Sequence, residues 1–98
     1  MMTHAQFLLC KFAEECNEAA QRALKQQQFG PAQRQKGYNR NRDRLRGEIL
    51  DVLAQIKFLQ DANEIDRIGG DDIANHAGKK WRKMMRFKGV SKRKGLVE

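Results

Sequence analysis

Apolar residues recur at helical spacing in three stretches of the chain, separated by polar or glycine-rich runs. In the first, from residue 3 to about 28, Leu9, Phe12, Cys16, Ala19, Ala20 and Ala23 fall on one stripe, and Thr3 stands where an N-cap belongs. Gly30 and Pro31 close that helix, because glycine tolerates the terminating conformation and proline cannot extend the ladder. A polar loop through Gly37 and Tyr38 leads to Asn41, which reads as the N-cap of a second helix from about 42 to 60. The core stripe of that helix is Leu45, Ile49, Val52, Ile56 and Leu59. Gly69 and Gly70 punctuate the chain again, with Asp71 or Asp72 as cap of a third helix to about residue 88 and an irregular basic tail over 89–98. No segment alternates as a strand does, and no repeat is visible. The expected fold is all-α: one domain over 1–98, a small bundle of about three helices completed by homo-oligomerisation.

Size and charge narrow the function classes. A chain of 98 residues buries only about two-thirds of its unfolded surface, which favours self-association. The net charge of +8 points toward phosphates or other polyanions. That surplus lies downstream of the first helix, in Arg34, Lys36, Arg40, Arg42, Arg44 and Arg46 and again between residues 79 and 94. Cys10 and Cys16 have no second Cys or His cluster with which to form a zinc site. The apolar run at Phe7, Leu8 and Leu9 is too short for a signal-peptide core or a membrane span, so the expectation is a cytoplasmic protein with no membrane partner.

Against this basic background stand two compact groups of acids: Glu14, Glu15 and Glu18 on the first helix, Glu48 and Asp51 on the second. A step of about 100° per residue brings Glu15 and Glu18 within about 60° of each other, and Glu48 and Asp51 likewise. Two such helices side by side bring four carboxylates together, and oxygen ligands of this kind suit Mg²⁺. Crowded carboxylates repel unless a cation lies among them. On the first helix Glu14 and Glu18 point largely away from the apolar stripe, with Glu15 on its flank; on the second, Glu48 lies about 40° from Val52 at the margin of the buried stripe. Lys11 and Lys25 are the cations at hand for ordinary ion pairs.

The run Ala13-Glu14-Glu15-Cys16, Glu18, Ala20-Gln21-Arg22-Ala23, Lys25 and Phe29-Gly30, followed by Asn41, Arg44-Leu45-Arg46-Gly47-Glu48 and Asp51, resembles the phage-type branch of the MazG-like nucleoside triphosphate pyrophosphohydrolases. The likeness extends to Lys80, Lys83, Phe87, Ser91, Gly95 and Val97-Glu98. It implies an all-α homodimer or homotetramer, in a bacterial or phage-infected host cytoplasm. The implied reaction is Mg²⁺-dependent hydrolysis of a (deoxy)nucleoside triphosphate to monophosphate and pyrophosphate, with Mn²⁺ as a possible substitute ion. Carried over by position, Glu15, Glu18, Glu48 and Asp51 are the metal ligands. Glu14 is the first acid of the motif, serving a further metal or the attacking water. Lys25, Lys80 and Lys83 bind triphosphate oxygens. Water is the expected nucleophile: Ser91 is the only serine, and His4 and His76 have no recognisable triad partners.

A different class competes. Lys79, Lys80, Arg82, Lys83, Arg86, Lys88, Lys92, Arg93 and Lys94 form a run without an acid, and with the loop over 34–46 they could track the backbone of a nucleic acid. That reading leaves the inward carboxylates of the second helix without a role, and no helix-turn-helix or zinc-finger spacing accompanies it.

Overall fold

The computed structural model describes residues 1–34 and 37–98; Gln35 and Lys36, the latter one of the basic loop positions, lie outside the described residues. The chain is all-helical, with three helices in the order α1 (His4–Phe29), α2 (Asn41–Asp61) and α3 (Gly70–Arg93), and no strand among the described residues. It forms two compact units, Met1–Asp66 and Arg67–Glu98.

In the first unit α1 and α2 pack along their lengths as an antiparallel hairpin. Thr3 caps α1 as its sequence predicts: its hydroxyl accepts from the Gln6 N–H at 3.1 Å, and the Gln6 side chain accepts from the Thr3 N–H at 2.9 Å. Two donors that the helix cannot satisfy internally are thereby met reciprocally. Gly30 ends α1 at φ 90°, a conformation that a side chain would strain. Asn41 departs from its expected role. It is the first residue of α2 rather than the cap, and Arg40 in the cap position offers no side-chain capping bond. The Asn41 side chain is instead buried and turned back to the connection, donating to the Gly30 carbonyl at 3.0 Å and to Gln33 Oε1 at 3.3 Å. Backbone bonds from Asn41 N to Gln33 O and from Arg42 N to Pro31 O tie the same corner. The hairpin is closed here.

Burial on α1 keeps Phe12, Cys16 and Ala19 of the expected stripe but is rotated from the rest of it. Ala5, Leu8, Phe12, Glu15, Ala19, Arg22 and Gln26 lose exposure, while Leu9, Ala20 and Ala23 remain exposed. Asn41, Leu45, Glu48, Val52, Gln55 and Leu59 of α2 and Ala62 at its cap do the same; Ile56 also loses exposure as expected, and Ile49 stays 45% exposed. Both sets alternate steps of three and four, the spacing of a seam between two helices. Among the described residues only Leu8 and Leu59 are buried apolar residues, so the seam combines a thin apolar core with polar side chains.

α2 ends at Asp61, within a residue of its expected end, and Asn63 takes the left-handed conformation at φ 58° just beyond it. Its N–H bonds to Gln60 O and the Glu64 N–H to Leu59 O, the paired closure of a Schellman turn. In the second unit α3 begins one residue before the expected acids, at Gly70. Asp72 contributes by reaching back to accept from the Gly69 N–H at 2.8 Å. The expected irregular tail from residue 89 is corrected: α3 continues through Gly89 to Arg93. Glycine inside a helix costs about 1 kcal/mol but does not by itself stop it. The stop is Gly95, at φ 75°, where Leu96 N bonds to Ser91 O and Gly95 N to Lys92 O.

Candidate metal centre

The seam brings acids from both helices of the hairpin to one place. Glu15 of α1 and Glu48 and Asp51 of α2 each present a carboxylate oxygen, all within 4.8 Å of one another. The i,i+3 spacing of Glu48 and Asp51 turns both toward α1, and Glu15 meets them because it occupies a seam position rather than the flank. Glu15 and Glu48 are half-buried and Asp51 is exposed. The Oε2 atoms of Glu15 and Glu48 are shut off from solvent and have no hydrogen-bond partner among the described residues. Ionised carboxylates only accept, so these acids cannot satisfy one another without a shared proton.

Electrostatics report the same crowding. Burial pushes the Glu15 carboxyl above its ordinary range, and the charges of Glu18 and Asp51, a side-chain hydrogen bond with Glu18 and the charge of Glu14 push it further. Glu48 is raised by burial, then by Glu18, Asp51 and Glu15. Loss of water disfavours the charged form of an acid, and like charges add to that effect.

The remaining candidates separate. Glu18 is exposed and stands outside the three-oxygen group, yet both its charge and its side-chain hydrogen bonding bear on Glu15 and Glu48. Glu14 is exposed and stands outside the three-oxygen group, accepting from Lys11 Nζ at 3.1 Å. Among the described residues, Lys11 pairs with Glu14 and not with the α2 acids, and neither Lys25 nor Arg22 forms an ion pair with any of the five acids. Lys25 lies with its ammonium 5.6 Å from the centre of the Phe29 ring and lines a cavity near the hairpin connection. Lys80 and Lys83 stand on α3, in the second unit. Lys80 lies on one stripe with Ile73, His76 and Ala77, and Lys83 on another with Arg86, Phe87 and Val90.

The structure adds two polar seam residues that the apolar pattern concealed. Gln26 and Gln55 each hold a buried side-chain oxygen without a partner. Their signal in the sequence was the alternating three-and-four spacing of both helices, which passes through polar positions as readily as apolar ones.

No family model, curated protein or solved structure matches this chain. No helix among the described residues is long and apolar enough to cross a membrane.

Proposed function

We propose that this chain is a MazG-like, metal-dependent nucleoside triphosphate pyrophosphohydrolase. The observation that carries the reading is the convergence of Glu15, Glu48 and Asp51 with two buried oxygens that lack any donor. Four carboxylates, counting Glu18, are an all-oxygen set of the kind that hard divalent cations take. Orphaned acceptors in a desolvated cleft are what a cation would satisfy, so the residues fit Mg²⁺, with Mn²⁺ as a substitute. When bound there, Mg²⁺ supplies Lewis-acid neutralisation of phosphate oxygens and a lowered pKa for water.

The chain's own groups define the rest. Glu15 and Glu48 hold a fixed, partly desolvated negative site between two rigid helices, and Asp51 and Glu18 widen it toward solvent. In the net reaction a water oxygen bonds to the α-phosphorus while the bond from that phosphorus to the α–β bridging oxygen breaks. Pyrophosphate leaves with the bond's electron pair, and the proton released by the water passes to solvent. Such chemistry needs positioning and charge stabilisation more than a nucleophilic side chain. Glu14, paired with Lys11, contributes through its charge on Glu15. In this reading Lys25, Lys80 and Lys83 neutralise triphosphate oxygens.

The proposed working form is a homodimer or homotetramer in the cytoplasm. The hairpin leaves Ile49, Leu50 and Leu53 about half-exposed on consecutive turns of α2, an apolar face that a second copy would cover. Sedimentation of the full chain tests this, and a strict monomer at micromolar concentration would exclude it.

A panel of canonical and damaged nucleotides incubated with Mg²⁺, with pyrophosphate measured against orthophosphate, tests the reaction. Pyrophosphate release supports the reading; orthophosphate alone, or no release, removes it. The nucleic-acid reading keeps one specific support, the acid-free cationic run along a single helix with Trp81 exposed. It predicts DNA or RNA binding that weakens steeply with salt and survives Glu48→Gln.

A further inference from the structure

Toward its connecting loop the hairpin carries a second feature of opposite sign. A cavity of about 310 Å³ is lined by Arg22, Lys25, Arg34 and Arg44, together with Phe29 and Asn41. Among the described residues no carboxylate lines it and none of these cations forms an ion pair. Two of them rest on aromatic rings instead: Lys25 over Phe29 at 5.6 Å and Arg44 over Tyr38 at 4.9 Å. Such contacts orient a cation without neutralising it. Four like charges around one cavity are costly unless an anion joins them, the reverse of the situation at the acids.

The two features are in register. Arg22 follows Glu18 by four residues on α1, and Arg44 precedes Glu48 by four on α2. Both helices therefore change sign about 6 Å further along the hairpin, toward the loop. Arginine guanidinium groups suit phosphate because they donate in a planar fork. We propose that this cavity grips the terminal phosphates of a nucleoside triphosphate whose α-phosphate lies at the carboxylates. The proposal rests on the pyrophosphohydrolase reading and adds a direction to it: β- and γ-phosphates toward the loop, nucleoside toward the open end of the hairpin. The site thus selects a three-phosphate chain over a monophosphate, and it is where the leaving pyrophosphate sits.

The test is binding of inorganic tripolyphosphate to the full chain in EDTA, by titration calorimetry, with no nucleotide and no metal. Saturable binding, tighter than that of orthophosphate, is expected. Arg44→Ala should weaken it about ten- to a hundredfold, the loss of one charge-assisted contact. Arg34→Ala, in an exposed loop position where folding is not at risk, should weaken it in the same sense. Glu48→Gln should leave it unchanged or tighter, and Lys88→Ala, outside the cavity, should leave it unchanged. Absence of binding, or equal losses in Arg34→Ala, Arg44→Ala and Lys88→Ala, overturns the cavity as the phosphate site whatever the nucleotide panel gives. Binding with the expected pattern, but no pyrophosphate release from any nucleotide, retains the cavity as a polyphosphate site and removes the enzymatic reading.

Discussion

Asn41→Ala should loosen the hairpin at its closed end, and the size of the effect follows from the bonds at that corner. The wild-type side chain is 6% exposed and donates to the Gly30 carbonyl at 3.0 Å and to Gln33 Oε1 at 3.3 Å. Each hydrogen bond contributes about 1 kcal/mol net, and a buried carbonyl left without a donor costs about 1–3 kcal/mol more. Gln33 is exposed and can turn to water, so the penalty falls on Gly30. The expected loss is about 2 to 4 kcal/mol, a drop in Tm of about 10–25 °C for a domain of this size. Far-UV circular dichroism through thermal and urea unfolding reads it. Asn41→Ser, which keeps a donor on a shorter side chain, should fall between the two, and it serves if the alanine variant is unfolded at room temperature. A loss below about 0.5 kcal/mol for Asn41→Ala would refute the corner as the closure of the hairpin.

Two further outcomes follow from the charges. In the metal-free chain Glu15 and Glu48 bind protons more tightly than in the unfolded state, because burial and the neighbouring acids raise both. Between the ordinary glutamate range and their raised values the folded state holds more protons, so their contribution makes stability fall as pH rises through that window. Thermal melts in EDTA should show this slope, Glu48→Gln should reduce it, and saturating Mg²⁺ should cancel it; a slope of the opposite sign, attributable to Glu48 by that comparison, would contradict the crowding. Charge reversal at Lys80 and Lys83 should mainly raise KM with kcat little changed if they hold the triphosphate equally in ground and transition states; unchanged kinetics would make them a solvated basic face.

Much of the fold was legible because its punctuation is local. Thr3 with Gln6, and Gly30 before Pro31, are signals that need no tertiary partner, and they bound α1 as the sequence predicts. The i,i+3 spacing of Glu48 and Asp51 likewise forces both onto one side of α2. What could not be read was the rotation of α1. Ranking positions by hydrophobicity selects Phe12, Cys16 and Ala19, which do lose exposure, but also Leu9, Ala20 and Ala23, where the hairpin packs through Glu15, Arg22 and Gln26 instead, and only the facing helix decides between these. The same substitution of polar for apolar hid the cavity, whose cations come from α1, the loop and α2 and share no sequence spacing. The end of α3 was misjudged because the stop depended on backbone conformation rather than residue type: Gly89 sits inside α3 while Gly95 ends it.

Mg²⁺ binding to the wild-type chain and to Glu48→Gln, followed by calorimetry and by thermal shift, tests the central claim most directly. The wild type should bind saturably. At a hundred times its Kd, Mg²⁺ should stabilise it by about 2.7 kcal/mol, a rise in Tm of about 10–20 °C. Glu48→Gln should retain its helicity, melt no lower than wild type in EDTA, lose the Mg²⁺ response and release no pyrophosphate. Equal Mg²⁺ affinity and native turnover in Glu48→Gln would contradict the account.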